Sequence, residues 1–230
     1  MRLIGLVGGT TWLSTAEYYR HLNEMVAQRR GGLHSARVLL HSIDFADVIA
    51  CGRAGDVDGE AAILIDAARS VERGGAQLLA LCANTAHVHA AAVAGAVSIP
   101  LVHIADEVAK EVRRSEISTI GVLCTGRTRQ AGIFDDALSR AAGCSILMPS
   151  DSEQERLDAA ILNTAAEGGV SDETRALSVD LVRSLRARGA AGIVLGCTEL
   201  PIMLGTRPAD ELYFDTTLIH ARALVELALA

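Results

Sequence analysis

Two short apolar runs, each leading into a cysteine, constrain the fold of this chain more than any other feature. Residues 77–81 lead into Cys82, residues 192–196 lead into Cys197, and small polar residues follow both. A buried parallel strand that delivers its last residue to the carboxyl edge of a sheet has this pattern, and open α/β folds bind ligands at that edge. We therefore predict that both thiols lie at ligand-binding sheet edges.

The surroundings of the two cysteines are repeated. Arg-Gly-Gly-Ala at 73–76 recurs as Arg-Gly-Ala-Ala at 188–191, and Ile-Gly-Leu-Val at 4–7 recurs as Ile-Gly-Val-Leu at 120–123. One unit of half the chain length is therefore used twice. We predict two pseudo-symmetric three-layer α/β domains with mainly parallel sheets and an active site in the interdomain cleft. The first domain is predicted to comprise 1–99 plus 209–230, and the second 100–208.

Composition narrows the function classes. The 230 residues carry a net charge of −7 with both signs scattered, which argues against a nucleic-acid surface. No apolar run approaches the roughly 20 residues of a membrane span. Five cysteines without a Cys-x-x-Cys pair fit a reducing compartment, so we expect a cytoplasmic protein with no nucleic-acid or membrane partner. The single lysine, Lys110, has acidic neighbours and is a poor Schiff-base candidate, so no pyridoxal phosphate or other cofactor is expected.

The first turn follows a predicted strand and precedes a helix expected to begin near Ala16, capped by Ser14 or Thr15. Its sequence, Gly-Gly-Thr-Thr-Trp at 8–12, departs from the Gly-x-Gly-x-x-Gly dinucleotide fingerprint. The turn, including Thr10, could hold a carboxylate on backbone N–H groups. Alternatively, its glycines only permit a tight connection, and the sequence leaves both interpretations open.

Polar residues follow the first cysteine. Ala83, Asn84 and Thr85 fall at the start of a helix predicted over 86–93, where Asn and Thr either bind an anion or serve only as caps. His87 and His89 suggest a metal set with Cys82. Because histidines two residues apart do not share a helix face, and no fourth ligand is visible, we predict no metal site. His103, in a strand predicted over 100–104, and His41 are interpreted as core or rim residues.

The second half of the chain contains candidate substrate-binding residues at the corresponding places. Thr125 and Thr128 occupy the place of the earlier glycine-rich turn, where their hydroxyls either bind a substrate carboxylate or cap the next helix. Thr198 and Glu199 follow Cys197. Glu199 either simply complements the helix dipole, or it holds an ammonium group or sets the state of the neighbouring thiol.

A duplicated thiol suggests a reaction. If an approximate two-fold axis relates the halves, Cys82 and Cys197 approach one carbon from opposite faces, as inversion of a stereocentre requires. A thiol with a pKa of about 8.5 is too weak to deprotonate an unactivated amino acid in water. Helix-start amides, with Asn84, Thr85 and Thr198, are therefore expected to stabilise the charge on the carboxylate and to lower the thiol pKa values.

These motifs resemble the aspartate/glutamate/hydantoin racemase superfamily, and within it the cofactor-independent, broad-specificity amino-acid racemases related to aspartate racemase. The resemblance runs nearly end to end and is carried by the segments 8–19, 33–36, 39–42, 82–85 and 196–199. It implies a pseudo-symmetric pair of α/β domains, the cysteine pair as acid and base, substrate held beside each cysteine and by the first turn, and a homodimer.

Departures from the family pattern bear on the substrate. Thr10 stands where the family has Met, and the segment 44–47 lacks the arginine with which aspartate-specific members hold a side-chain carboxylate. Arg156 appears at the place of a family lysine and keeps its charge. Glutamate and aspartate are therefore the first substrates expected. A hydantoin racemase, a maleate-type cis–trans isomerase and a non-catalytic carboxylate-binding protein remain as alternatives.

Overall fold

The computed structural model of the protein describes residues 1–141, 143–167, 169–208 and 210–230. The chain divides into two compact units. Unit 1 comprises Met1–His103 and His220–Ala230, and unit 2 comprises Ile104–Ile219. No helix in the described part of the chain is long and apolar enough to cross a membrane.

Unit 1 is built on a three-stranded parallel sheet with helices between the strands. The strands are β1 (Ile4–Gly8), β2 (Val38–Ser42) and β3 (Leu78–Leu81), in the order β2-β1-β3. Its helices are α1 (Trp12–Arg30), α2 (Phe45–Ala54), α3 (Val57–Arg73), a 3₁₀ helix (Thr85–His89) and α4 (Ala90–Ala96). Every residue of β1 and β3 is buried, which is typical of a parallel sheet covered on both faces.

Unit 2 repeats this plan with one strand more. After α5 (Ile104–Arg114), its strands are β4 (Thr119–Cys124), β5 (Ser145–Leu147), β6 (Gly192–Gly196) and β7 (Leu212–Asp215), all parallel in the order β5-β4-β6-β7. Its further helices are α6 (Gly126–Gln130), α7 (Ile133–Asp136), a π-helical turn (Ala137–Ala141), α8 (Asp151–Glu167), α9 (Asp172–Ala187) and α10 (Leu200–Leu204). The final helix, α11 (Thr216–Leu229), begins in unit 2 and ends in unit 1.

Each sheet has an apolar core on both faces because strand side chains alternate. In β3, Leu78 and Ala80 pack with Tyr18 and Leu224 on one face, while Leu79 and Leu81 belong to the core on the other. In unit 2, Ile120 and Val122 share one core, and Leu123 lies in the other. The predicted α/β class with parallel sheets is confirmed.

Several boundaries differ from the sequence expectations. Helix α1 begins at Trp12 because Thr11, not Ser14 or Thr15, is its N-cap and accepts a hydrogen bond from the Ser14 N–H group. The segment 86–93 is divided between the 3₁₀ helix and α4. Within 100–104, only Leu101 makes an isolated parallel bridge to Leu79, and α5 starts at the end of that segment.

The limits of the two units also follow from strand pairing. Strand β7 pairs with β6, placing Tyr213 opposite Ile193, so the segment 212–215 lies in unit 2, whereas the sequence division put 209–230 in the first domain. The Leu101 bridge keeps the segment 100–103 in unit 1. The chain thus leaves unit 1 after His103 and re-enters it at His220.

Candidate active site

The turn after β1 requires glycine at its second position. Gly9 has φ +95°, and a Cβ atom there would lie 2.1 Å from the carbonyl oxygen of Ile43. The Gly9 N–H group donates to the Thr15 hydroxyl over 2.9 Å, so this donor is already used within the turn. Thr10 is partly exposed at the same edge. The tight-connection interpretation therefore accounts for Gly9, and Thr10 remains a candidate substrate contact.

Cys82 follows the last residue of β3 and is 2% exposed. Its side chain belongs to the core that contains Leu6 and Ala80, and this burial raises the pKa of the thiol. Cys82 is therefore a protonated thiol at neutral pH when no substrate is bound.

The residues after Cys82 form a compact turn. Asn84 is buried, and within the described chain its side chain makes no capping hydrogen bond to the 3₁₀ helix. The capping interpretation therefore does not explain Asn84. Thr85 and Ala83 are partly exposed. The carbonyl oxygen of Ala83 accepts a hydrogen bond from Nδ1 of His87 over 2.9 Å.

A cluster of three rings lies beyond this turn and was not foreseen from the sequence: His87 and His220 are buried, and His103 is partly exposed. The ring of His87 lies edge-on to that of His103, with centroids 4.7 Å apart, and 5.8 Å from that of His220. His89 instead bonds to Glu60 over 3.0 Å, with both side chains buried. Among the described residues, no group of three or more His, Cys, Asp or Glu side chains is arranged to hold a metal ion.

Cys197 follows the last residue of β6 and is partly exposed. Its thiol donates a hydrogen bond to Oε2 of Glu199 over 2.9 Å, and the Thr198 hydroxyl donates to the same oxygen over 2.8 Å. Burial, followed by the charge of Glu199, raises the pKa of the Cys197 thiol well above its usual value. Among the described contacts, the Glu199 side chain makes no capping hydrogen bond to α10 and accepts instead from the Cys197 thiol and the Thr198 hydroxyl.

Both thiol pKa values are raised, which corrects the expectation that helix-start amides lower them. The 3₁₀ helix after Cys82 and α10 after Cys197 are five residues each, too short to develop a large dipole. Loss of solvation therefore dominates at both sites.

The edge of β4 contributes residues that the sequence only partly identified. Thr125 caps α6 by accepting from the Thr128 N–H group, and the two hydroxyl groups lie 2.9 Å apart. Asp158 Oδ1 accepts from the Gly126 N–H group over 2.8 Å and from Gln154 Nε2 over 3.0 Å. Gln154 and Asp158 lie one turn apart on α8, and that spacing was the only sequence signal for them.

Arg156 lies between these two residues on α8, and its side chain is exposed. Because successive residues of a helix point about 100° apart, it does not share the inward face of Gln154 and Asp158. In unit 2 the structure thus places Glu199 and Thr198 directly against Cys197, whereas it places Arg156 on the surface.

Strand register shows that the two cysteines are not equivalent positions of the repeat. Leu81, directly before Cys82, lies opposite Val7, which corresponds to Leu123 in the second half. Leu123 lies opposite Leu195, two residues before Cys197. Cys197 therefore stands one residue farther along its strand than Cys82. Because side chains alternate, Cys82 packs in the core with Ala80, whereas Cys197 packs against the core with Leu195.

The fold and these edges define a two-unit α/β protein with a cysteine at the carboxyl edge of each parallel sheet. A family model described as Asp/Glu/Hydantoin racemase matches residues 7–224. The chain belongs to this family of isomerases, and the resemblance inferred from its motifs is confirmed.

Similar proteins agree with this assignment. The Broad specificity amino-acid racemase RacX of Bacillus subtilis is 28% identical over 169 residues, which cover 73% of this chain and 71% of the relative. A crystal structure of a candidate Asp/Glu racemase from Yersinia pestis has a TM-score of 0.91 and 35% identity, covering 100% of both chains. That of an aspartate racemase homologue from Pyrococcus horikoshii has a TM-score of 0.85 and 31% identity, also covering 100% of both.

Proposed function

We propose that this protein racemises an amino acid without a cofactor, using Cys82 and Cys197 as acid and base on opposite faces of the α-carbon. The observation that carries the proposal is the hydrogen bond from the Cys197 thiol to Glu199. A thiol that donates to a buried carboxylate has an acceptor for its proton at contact distance. Cys197 can thus become a thiolate without a proton leaving for solvent.

The two cysteines then have complementary tasks in one direction of the reaction. Glu199 takes the proton of Cys197, and the resulting thiolate removes the α-proton, which restores the Cys197 thiol. Cys82, a thiol in its buried surroundings, donates its proton to the opposite face of the carbanion. The Cys82 thiolate that remains is the base for the other enantiomer. For a second turnover in the same direction, Glu199 loses its proton to solvent and Cys82 takes one from solvent.

Charge on the carbanion must be stabilised for such weak bases to act. The partly exposed Thr10, Thr85 and Thr125 carry hydroxyl groups at the sheet edges, buried Asn84 offers an amide, and Thr198, whose hydroxyl donates to Glu199, lies beside Cys197. We assign to these residues, with Ala83 and Thr128, the binding of the substrate carboxylate. Glu199 already accepts hydrogen bonds from the Cys197 thiol and the Thr198 hydroxyl, so we assign it to accepting the proton of Cys197.

Glutamate and aspartate are the first candidate substrates because the matching family model is described by them, and Arg156, although exposed on α8, is the cation that we assign to a second carboxylate. Arg156→Ala should raise KM for acidic amino acids at least tenfold and leave KM for neutral ones unchanged, since one charge-assisted contact contributes about 1.5–3 kcal/mol. Arg183→Ala, which removes another exposed arginine of unit 2, is the control. Equal KM values for acidic substrates in both variants would remove Arg156 from the site.

Cofactor independence is supported by the position of the single lysine. Lys110 is exposed on α5 and forms an ion pair with Glu107 over 2.6 Å. An exposed, paired ammonium group is unsuited to a Schiff base, which requires a desolvated amine. Racemisation by the protein after dialysis against a carbonyl-trapping amine tests this part of the proposal.

The central experiment follows the α-proton. The protein is incubated in deuterium oxide with a panel of amino acids, and deuterium uptake and chirality are measured together. Cys82→Ser and Cys197→Ser should each lose racemisation by at least 10²-fold, in the range expected for a lost acid–base group. Cys51→Ser, which changes a partly exposed cysteine of α2, should retain full activity. Undiminished racemisation by either catalytic variant would refute the mechanism.

We further propose a cytoplasmic homodimer without membrane or nucleic-acid partners. All five cysteines are free thiols, as expected in a reducing compartment. Trp12 and Tyr19, two turns apart on α1, are 70% and 57% exposed, and Leu33 is fully exposed, so unit 1 presents apolar surface for a second copy. Light scattering should give twice the chain mass, and Trp12→Ala with Tyr19→Ala should yield monomer. A wild-type monomer would refute the dimer.

A further inference from the structure

The histidine cluster (His87, His103 and His220) lies where the chain leaves and re-enters unit 1. His103 is the last residue of unit 1 before the chain passes to unit 2, and His220 is the first residue after its return. His87 belongs to the 3₁₀ helix that follows the Cys82 turn. Three segments distant in sequence therefore meet through imidazole rings, two of them buried and that of His103 partly exposed.

Hydrogen bonds fix the tautomer of His220. Its Nε2 lies 2.9 Å from the Val102 carbonyl oxygen, and its Nδ1 lies 2.8 Å from the Tyr18 hydroxyl. Because a carbonyl oxygen only accepts, Nε2 carries the proton and donates. In the neutral ring Nδ1 then accepts, so the Tyr18 hydroxyl donates. One imidazole thus links the departing segment, the returning helix α11 and helix α1.

His87 connects this arrangement to the catalytic turn. Its Nδ1–H donates to the carbonyl oxygen of Ala83, the residue directly after Cys82. Its ring also meets the rings of His103 and His220 edge-on. Burial, followed by the two neighbouring histidines, lowers the pKa of His87 well below its usual value, so the ring is neutral and keeps this donor arrangement.

We propose that His87, His220 and Tyr18 are positioning residues, which hold the Cys82 turn in a fixed place relative to the two segments that connect unit 1 to the unit carrying Cys197. Apolar side chains would fill the same volume without the cost of burying polar rings. The imidazole rings differ from apolar side chains in that their hydrogen bonds are directional. Each bond fixes the orientation of one ring relative to one carbonyl group. The bonds from His87 to Ala83 and from His220 to Val102 thereby join the turn to the departing segment.

The consequence for the reaction rests on the proposed two-cysteine mechanism. Proton transfer requires the sulfur atom close to its contact position with the α-carbon, and a displacement of about 1 Å costs on the order of 10²-fold in rate. Loosening the cluster should displace Cys82, whereas Cys197, held by its own contact with Glu199, should stay in place. Only the step in which Cys82 exchanges a proton should slow.

The variants separate position from packing. His87→Leu removes the donor to Ala83, and His87→Asn retains a donor at the place of Nδ1. Tyr18→Phe removes the hydroxyl that donates to His220 and keeps the ring. The matched control is His89→Gln, which alters another buried histidine of the same 3₁₀ helix that bonds to Glu60, outside the cluster. All variants are compared at a temperature where circular dichroism shows them folded.

Two readouts are used, and the first needs no racemase activity. Iodoacetamide alkylation, resolved by peptide mass, should be about tenfold faster at Cys82 in His87→Leu and Tyr18→Phe, unchanged at Cys197, and near wild type in His87→Asn. A tenfold increase corresponds to local opening of the turn that is easier by about 1.4 kcal/mol. The second readout is the α-deuterium isotope effect on kcat/KM for each enantiomer. It should increase for the enantiomer deprotonated by Cys82 and decrease for the other.

Each result counts for or against the proposal. Selective acceleration at Cys82 with opposite changes in the two isotope effects supports it. Parallel changes at both cysteines, the same changes in His89→Gln, or no change in Cys82 reactivity would overturn it. Should the cysteine variants prove to racemise normally, the proposed function fails, and the alkylation rates still decide whether the cluster holds the turn.

Discussion

The thiol of Cys197 donates a hydrogen bond to the buried carboxylate of Glu199 over 2.9 Å. The same carboxylate oxygen accepts from the Thr198 hydroxyl. Glu199 therefore acts on the thiol in two opposing ways. Its charge raises the thiol pKa and so disfavours the thiolate at equilibrium, yet its oxygen is the nearest acceptor for the proton that must leave.

Glu199→Gln separates these two effects. The neutral amide removes the charge, so the Cys197 pKa should fall, and the rate of its alkylation at pH 8 should rise. Racemisation should nevertheless fall by about 10²-fold, because the amide cannot take the proton. Rates of both processes are measured from pH 6 to 10, with Glu155→Gln, an exposed glutamate of α8, as the control. An increase in racemisation would mean that Glu199 acts only through its charge.

Asp158 should matter for the start of α6. Its Oδ1 accepts from the Gly126 N–H group and from Gln154, whose Nε2 also donates to the carbonyl oxygen of Cys124. Asp158→Ala leaves these donors without their acceptor and should cost about 1–3 kcal/mol in the free energy of unfolding.

Asp158→Asn is the matched variant, because its amide oxygen still accepts at the same place and should cost less. Burial, followed by the charge of Asp158, raises the pKa of Cys124 to about 12, so Cys124 should titrate lower in Asp158→Asn. Urea unfolding and thiol titration check the two parts. Equal stability losses in the two variants would contradict the hydrogen-bond argument.

The parts of the fold predicted from sequence are those encoded locally. The strands before Cys82 and Cys197 can be identified because a buried parallel strand is a short continuous apolar run bounded by glycine or small polar residues. The repeat of the segments before the two cysteines can also be identified, because it lies in the local sequence. The one-residue difference between the cysteine positions was hidden, because it depends on which residue of the neighbouring strand each one faces.

What the sequence could not supply was contact between distant segments. Tyr18 and His220 are 202 residues apart in sequence and are joined by a hydrogen bond that no local sequence pattern predicts. The direction of the thiol pKa shifts was also missed. Helix-start amides were visible in the sequence, whereas the extent of burial around Cys82 emerged only from the folded core.

Gly9 and Gly75 allow a matched test of the first turn. Both have positive φ, +95° and +91°, but a Cβ at Gly9 would collide with the Ile43 carbonyl oxygen, whereas no described atom lies within 4 Å of one at Gly75. Gly75→Ala should cost about 1–3 kcal/mol from backbone strain alone. Gly9→Ala should cost at least about 2 kcal/mol more, because the backbone around Ile43 must shift. Urea unfolding gives the free energy of unfolding of both variants. Equal costs would show that the backbone around Ile43 shifts with little loss of stability.

The buried histidine on α11 should make the stability of the protein dependent on pH. Burial lowers the pKa of His220 from 6.5 to about 4. Between these values the unfolded chain binds a proton that the folded protein does not, so the free energy of unfolding decreases as the pH falls. The stability is fully present above pH 6.5 and is lost as the pH passes through about 4. At about 1.36 kcal/mol for each pKa unit, the loss is about 3 kcal/mol.

His220→Gln isolates this contribution, because glutamine fills a similar volume, can donate to the Val102 carbonyl oxygen and does not titrate. The pKa of His87 is lowered by burial and then by His220, so part of that second effect is lost in the variant and the measured difference includes this smaller change at His87. The wild type should therefore be the more stable protein at pH 7.5, and its advantage should shrink by about 3 kcal/mol as the pH falls to 4, which urea unfolding at several pH values measures. A constant difference across this range would mean that His220 is not held neutral, and the tautomer that orients Tyr18 and Val102 would lose its support.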